Sequence, residues 1–179
     1  MKIAVVGKCR AGKDSFAKFF INRGLQEFKF GTGIAEIIQK YFPEEWEKGK
    51  PRHLYQGIGQ YLRSFDQDVW VKYLAKQIEG KPNVIVTDCR QANEVKWLKE
   101  NGFYIVKVEA DEEVRIQRMK AEGDTFKKED LYHETELQVD LIQPDMTVQN
   151  NGTLEELHKE AHELYSALSI REVIGGLKS

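Results

Sequence analysis

Two glycines and a lysine lie near the start of the chain with the spacing G-x-x-x-x-G-K, from Gly7 to Lys13. A loop of this kind turns backbone N–H groups toward a polyphosphate and brings its lysine to the outer phosphates. The alternative interpretation is an ordinary tight turn between a strand and a helix, with an exposed lysine. The phosphate-loop interpretation predicts nucleotide contacts from Gly7, Lys8, Arg10, Ala11, Gly12, Lys13, Asp14 and Ser15.

Asp14 occupies the position where this motif usually has Ser or Thr. A hydroxyl group would be a neutral ligand for Mg²⁺, whereas a carboxylate is a charged oxygen ligand that suits this hard cation. Nearby phosphate oxygens would repel the carboxylate if no metal were bound. We therefore expect Asp14 to bind Mg²⁺ directly or through water, and we expect nucleotide binding to depend strongly on Mg²⁺.

A second acidic residue, Asp88, follows the apolar run from Val84 to Thr87. In phosphate-loop proteins such an aspartate lies beside the loop and helps to hold Mg²⁺. The alternative role is a helix cap or the start of a loop, which is common for an aspartate after a strand. Arg90 comes two residues later and would face the same crevice at the edge of the sheet.

The elements that must position these residues alternate between strand and helix patterns, which predicts an α/β fold with helices on both faces of a parallel sheet. The predicted strands are 2–6, 28–30, 84–87, 103–108 and 146–149. The predicted helices are 13–23, 34–41, 52–63, 67–78, 93–100, 112–120 and 154–168. Residues 169–179 are expected to run along the surface. Asp111 and Thr153 are predicted to cap the last two helices.

The composition is that of an ordinary soluble domain, with 179 residues, 31% charged residues and a formal net charge of -2. This balance argues against nucleic acid as a partner. The sequence has no apolar run of transmembrane length and no signal-peptide pattern, so we expect a cytoplasmic protein without a membrane partner. Cys9 and Cys89 are expected to be reduced thiols, although both follow predicted strands and could be neighbours.

Five segments, taken in chain order, resemble the deoxynucleoside monophosphate kinases of phages and bacteria, which belong with the adenylate-kinase-like phosphate-loop kinases. They are Gly-Lys-Asp-Ser at 12–15, the L-x-Q-x-x-G-x-x-x-R type segment at 53–63 with the tryptophan at 70, D-x-R-x-x-N-E at 88–94, His-Glu-Thr-Glu at 133–136 and N-G-T-x-x-x-L at 151–157. The fourth segment has Thr where the family has Ser.

The resemblance implies a single domain, 1–179, with the three-layer P-loop NTPase fold and a five-stranded parallel sheet. It also implies an acceptor-binding insertion at 32–78, a lid region at 115–136, and ATP with Mg²⁺ as donor and cofactor. The expected reaction converts a nucleoside or deoxynucleoside monophosphate to the diphosphate. Monomer and homodimer both remain open.

The resemblance also implies roles for individual residues. Gln56, Arg63, Trp70 and Arg90 are expected to hold the acceptor, although the spacing of Trp70 fits a core position as well. Lys13, Asp88, Arg115 and Arg118 are the expected catalytic residues, and the alternative for the two arginines is a solvated helix face. Asn151 and Gly152 are expected to border the donor adenine. His133, Glu134 and Glu136 are expected to have a structural or lid-fastening role rather than a catalytic one.

Two other functions fit the same motifs. One is a phosphate-loop kinase for a different phosphorylated small molecule, of the dephospho-coenzyme A or phosphomevalonate type. The other is a nucleotide-binding regulatory protein without turnover, against which Lys13 and Asp88 argue, because both belong to the catalytic pattern.

Overall fold

The computed structural model describes residues 1–121 and 138–176. The strands are β1 (Lys2–Val6), β2 (Gln26–Phe28), β3 (Val84–Val86), β4 (Tyr104–Glu109) and β5 (Met146–Gln149). The helices are α1 (Lys13–Ile21), α2 (Thr32–Tyr41), α3 (Pro43–Glu47), α4 (Arg52–Phe65), α5 (Val69–Ile78), α6 (Ala92–Glu100), α7 (Glu112–Ala121) and α8 (Leu154–Gly176).

The five strands form one sheet in the order β2-β3-β1-β4-β5. β1 pairs in parallel with β3 on one side and β4 on the other, and β4 pairs in parallel with β5. Parallel neighbours need crossover connections, and the helices between the strands supply them. The predicted α/β fold, a parallel five-stranded sheet with helices on both faces, is confirmed.

Two compact units make up the chain: Met1–Glu27 with Pro82–Ser179, and Phe28–Lys81. The second unit includes the predicted insertion at 32–78. The role of that insertion in binding an acceptor stays a prediction, as does the lid region.

The core of the first unit follows from the alternation of side chains along β1. Ile3 and Val5 point to one face, where they join Phe16 and Phe20 of α1 and Leu157 of α8 in one apolar cluster. The intervening residues of β1 are also fully buried on the opposite face. Burial on both faces is typical of a central parallel strand, and it fixes the carboxyl end of β1, where the glycine loop begins.

Most predicted elements, including β2, match the observed ones to within two residues at each end, but α3 was not predicted and the end of the final helix was predicted wrongly. β2 begins at residue 26 rather than 28, because Gly24 ends the α1 turn with a φ of +95° and the N–H of Gln26 already bonds to Asn83. The final helix does not stop at residue 168 but continues through Gly176. Within this added segment the hydroxyl of Ser169 donates to the carbonyl of Tyr165, and no proline interrupts the helix.

No helix within residues 1–121 and 138–176 is both long and apolar enough to cross a membrane. Both cysteines are free thiols, with Cys89 buried and Cys9 partly buried. Burial, with the carboxylates of Glu94 and Asp88 nearby, raises the pKa of Cys89 well above its ordinary value. This thiol therefore stays protonated and unreactive at neutral pH.

Candidate active site

The glycine loop leaves the sheet at the end of β1 and runs directly into α1. The N–H of Ala11 donates to the carbonyl of Lys8 at 3.2 Å, which closes a turn, and the N–H of Phe16 donates to Gly12 at 3.0 Å, which starts the helix. Gly12 is the N-cap residue and has no side chain with which to cap the first turn. The helix therefore presents N–H groups and the positive end of its dipole at the loop, which is the usual arrangement for binding phosphate.

Both glycines of the motif are required by close packing. A Cβ atom at Gly7 would collide with the carbonyl oxygen of Val108, and a Cβ atom at Gly12 would collide with the Nδ2 atom of Asn150. Gly12 also has a φ of +99°, a left-handed conformation that costs other residues energy. Side chains are thus excluded at both ends of the loop.

Lys13 lies across the loop that precedes it. Its Nζ atom is 3.4 Å from the carbonyl oxygen of Lys8, and its aliphatic stem lies against Gly7. Lys8 itself forms an ion pair with Asp140 at 2.7 Å. The loop therefore has one lysine folded over its concave side and another anchored to the segment that precedes β5.

Helix α7 brings two arginines against the outer carbonyls of this loop. Arg115 Nη1 donates to Cys9 and Arg118 Nη1 donates to Arg10, each at 3.4 Å, and Arg118 Nη2 donates to the carbonyl of Asn150 at 3.0 Å. The helix begins at residue 112, as predicted. Residues three apart on a helix share a face, and here that face points at the loop rather than at solvent.

The guanidinium group of Arg115 is buried beside the loop, and only 4% of the residue is exposed. Its Nε atom has no hydrogen-bond partner within residues 1–121 and 138–176. Among these same residues, no carboxylate forms an ion pair with it. A buried charge of this kind is costly unless an anion compensates it. An anion bound beside the glycine loop would compensate this charge.

The loop after β3 is shaped by residues without a predicted functional role. Glu94 is buried, and its Oε2 atom accepts the N–H groups of Arg90 at 2.9 Å and Gln91 at 3.1 Å. Gln91 and Glu94 together form a capping box at the start of α6. These hydrogen bonds fix the segment that carries Asp88 and Arg90. The segment follows β3, which is adjacent to β1, so it lies at the same edge of the sheet as the glycine loop.

The metal-binding prediction for Asp14 and Asp88 stays a prediction. Asp14 is exposed at the start of α1, and Asp88 is partly buried. Within the described parts of the chain, no group of three or more His, Cys, Asp or Glu side chains could hold a metal ion. One or two carboxylates fit Mg²⁺, because this ion keeps several waters and takes other ligands from substrate phosphates.

The predicted adenine-bordering residues, Asn151 and Gly152, lie exposed between β5 and α8. Asn151 Oδ1 accepts the N–H of Asp111 at 2.8 Å. Thr153 caps α8 as predicted: its hydroxyl accepts the N–H of Glu156, and its own N–H donates to that carboxylate at 2.7 Å. The N–H of Thr153 thereby lowers the pKa of Glu156. The turn is fixed, and a role in binding adenine stays a prediction.

The predicted acceptor-binding residues of the insertion lie in the second compact unit. Gln56 is exposed on α4, and Arg63 is partly buried on the same helix. Trp70 is only 3% exposed, and its Nε1 atom donates to the carbonyl of Gly59 at 3.2 Å. A Cβ atom at Gly33 would lie 2.9 Å from the Trp70 ring. These contacts favour the core interpretation of Trp70. Arg90, the remaining residue predicted to bind the acceptor, lies in the first compact unit.

The predicted lid region lies partly outside the described residues. His133, Glu134 and Glu136 are among the residues that the structure does not describe.

The close approach at Gly7 predicts a large effect of one methyl group. Gly7→Ala should lower the free energy of unfolding by about 1–3 kcal/mol, because a backbone oxygen cannot move aside for the new Cβ atom. Gly57→Ala is the matched control: its Cβ atom meets nothing within 4 Å on α4, so stability should rise by about 0.5–1 kcal/mol. Urea denaturation measures both. Equal effects of the two substitutions would contradict the packing argument.

The sheet order, the glycine loop between β1 and α1, and the arginines on the loop define the structural class as the phosphate-loop kinase fold. A family model described as an AAA domain matches residues 3–138, and the chain belongs to this family. No curated protein sequence matches the chain.

Solved structures of similar fold include several small-molecule kinases. TT1252 from Thermus thermophilus is 16% identical with a TM-score of 0.63, over 94% of this chain and 97% of that one. Shikimate kinase from Aquifex aeolicus is 18% identical with a TM-score of 0.56, over 95% and 99%. Dephospho-CoA kinase from Campylobacter jejuni is 13% identical with a TM-score of 0.55, over 93% and 96%. At these identities the likeness shows the fold alone.

Proposed function

We propose that the protein is a kinase that transfers the γ-phosphoryl group of ATP to the phosphate of a nucleoside or deoxynucleoside monophosphate. The observation that carries this proposal is the buried guanidinium group of Arg115 beside the glycine loop. A buried positive charge is costly unless an anion compensates it, and this fold binds nucleotide phosphates at that loop. The family resemblance of segments 53–63 and 88–94 supports a nucleoside monophosphate as the acceptor.

The donor would be held by the loop from Gly7 to Ser15. Backbone N–H groups at the start of α1 bind phosphate oxygens, and Lys13 neutralises the outer phosphates. Arg115 and Arg118 approach from α7 and stabilise the charge that develops during transfer. The turn at 151–152 borders the adenine.

The acceptor would be held by Arg63 and Arg90, whose planar guanidinium groups match phosphate oxygens, with Gln56 bonding to the base. An acceptor oxygen forms a bond to the γ-phosphorus, and the bond from that phosphorus to the β–γ bridging oxygen breaks. The bridging oxygen keeps the electron pair and leaves with ADP. No general base is needed, because the acceptor phosphate is already an anion at neutral pH.

Mg²⁺ would be held through Asp14 and Asp88, directly or through water, and would supply charge neutralisation at the transferring phosphate. The donor set fits this ion, because carboxylates are hard oxygen ligands and the remaining positions belong to substrate and water. In this arrangement the carboxylate of Asp14 is the unusual feature, since it adds a negative charge beside the loop.

Asp14 makes a specific prediction about the metal. ATP should bind at least about tenfold more weakly without Mg²⁺, because the carboxylate then faces the phosphates uncompensated. In Asp14→Ser this difference should shrink, since a hydroxyl has no charge to repel phosphate. Calorimetric titrations with Mg²⁺ and with EDTA measure both proteins. The same metal dependence in both would remove Asp14 from the metal site.

The acceptor is tested by coupled assays of ADP release over a panel. The panel contains the deoxynucleoside and ribonucleoside monophosphates, dephospho-coenzyme A and phosphomevalonate. We expect turnover with at least one deoxynucleoside monophosphate and none with the last two. Turnover with only a non-nucleotide acceptor would replace the proposed substrate class, and ATP binding without turnover on any acceptor would identify a binding protein instead.

A further inference from the structure

Asn150 is a buried amide that links three parts of the candidate site. It follows β5 directly and is 5% exposed. Its Nδ2 atom donates to the carbonyl of Ala11 at 2.8 Å, and its backbone N–H donates to Glu109 at the end of β4 at 2.7 Å. The sequence predictions assigned it no role.

The same amide also fills the space beside Gly12. A Cβ atom at Gly12 would collide with Nδ2 of Asn150. On the other side, Arg118 Nη2 lies 3.0 Å from the Asn150 carbonyl oxygen and 3.5 Å from its Oδ1 atom. These contacts fix the orientation of the amide, with its nitrogen toward the loop and its oxygen toward Arg118.

We propose that Asn150 is a positioning residue that sets the direction of the Gly12 N–H group in the phosphate-binding loop. In a trans peptide the C=O and the following N–H point to opposite sides. Because Asn150 holds the Ala11 carbonyl, the N–H of Gly12 is directed away from Asn150 and toward the concave side of the loop. The inference rests on the proposed function in one respect only, namely that this loop binds the donor phosphates.

A purely structural role makes a different prediction. If Asn150 only stabilised the fold, its truncation would lower stability, while the folded fraction would bind phosphates with unchanged affinity. A positioning role changes the affinity of the folded protein for the donor and leaves the KM for the acceptor unchanged. The two roles are therefore separated by binding measurements at a temperature where each variant is folded.

The test compares Asn150→Ala and Asn150→Asp with wild type, with MgATP and with magnesium pyrophosphate as probes. We expect the dissociation constants for both probes to rise about tenfold or more in each variant, which corresponds to about 1.4 kcal/mol per factor of ten. The carboxylate in Asn150→Asp has the same shape as the native amide but cannot donate to Ala11. The carboxylate also repels phosphate, so any loss in Asn150→Asp beyond that in Asn150→Ala is assigned to charge, and an unchanged affinity in Asn150→Asp excludes the hydrogen bond even if the alanine variant unfolds.

The matched control is Asn101→Ala with Asn101→Asp. Asn101 also donates its Nδ2 atom to a backbone carbonyl, that of Trp97 at 2.9 Å, but it lies at the end of α6 and is exposed. These variants should bind both probes as wild type does. Thermal unfolding without ligand monitors the folded fraction of all four proteins.

A double-mutant cycle with Gly12→Ala tests the steric contact. The collision disappears when Asn150 is truncated, whereas the left-handed φ of Gly12 strains both alanine proteins alike, so Gly12→Ala should weaken MgATP binding less in the Asn150→Ala background than in wild type. Losses that multiply across the cycle, or unchanged affinity in Asn150→Asp, would overturn the proposal. Wild type that binds both probes but phosphorylates no acceptor would overturn the proposed kinase reaction and leave the binding series to decide the role of Asn150. Wild type that binds neither probe would overturn both.

Discussion

Lys13→Met is expected to lower the rate of phosphoryl transfer by about 100- to 1000-fold, which corresponds to about 2.7–4 kcal/mol of transition-state stabilisation. The reason is electrostatic, because the ammonium group is the charge that the loop places at the outer phosphates. Methionine is preferable to alanine here, since the Lys13 stem packs against Gly7 and a thioether chain keeps that contact. Steady-state assays under saturating MgATP measure the change in kcat.

The control for this substitution is Lys18→Met. Lys18 lies on the same helix, is exposed, and is more than one helical turn away from the loop. Its replacement should leave kcat within about twofold of wild type, because an exposed charge at this distance is screened by solvent. Wild-type kcat in Lys13→Met, with unchanged thermal stability, would remove the lysine from the mechanism.

The local parts of the site could be predicted from sequence because they depend on short-range patterns. The strand before the glycine loop is a continuous apolar run, and the loop itself follows from the spacing of Gly7, Gly12 and Lys13. The spacing of Arg115 and Arg118 also placed them on one helix face. The sequence could not show what this helix face contacts. The loop carbonyls that accept hydrogen bonds from the two arginines are 106 and 108 residues away along the chain.

The missed residues are those whose role depends on contacts between distant segments. Asn150 and Ala11 are separated by 139 residues, and only the pairing of β5 with β4 and of β4 with β1 brings them together. Glu94 had no predicted role, yet it is buried, and two backbone N–H groups compensate its charge. A polar residue within two positions of the end of a strand is the one sequence signal that both Asp88 and Asn150 share.

Arg115→Met is expected to separate stability from function. Ligand-free protein should unfold at the same or a higher denaturant concentration than wild type, with a gain of about 1 kcal/mol, because the substitution removes a buried charge whose Nε atom is unsatisfied within the described chain. Affinity for MgATP should fall by about tenfold or more, since the anion would lose its buried counter-charge. The stabilisation by saturating MgATP should shrink accordingly, because ligand stabilisation follows RT ln(1 + [L]/Kd).

Arg118→Met is the informative comparison, because the two arginines differ in their partners. Arg118 donates to the carbonyls of Arg10 and Asn150, so its loss should lower both stability, by about 1–3 kcal/mol, and affinity for MgATP. Urea denaturation measures the stability of both variants, and calorimetry measures their affinity for MgATP. Lower stability with unchanged MgATP affinity in Arg115→Met would show that the Arg115 guanidinium group stabilises the loop and does not bind an anionic ligand. The opposite signs expected for the stability of the two variants follow from one difference. Arg118 donates to carbonyls through both of its Nη atoms, whereas Arg115 donates through Nη1 and keeps a buried Nε atom that is unsatisfied within the described chain.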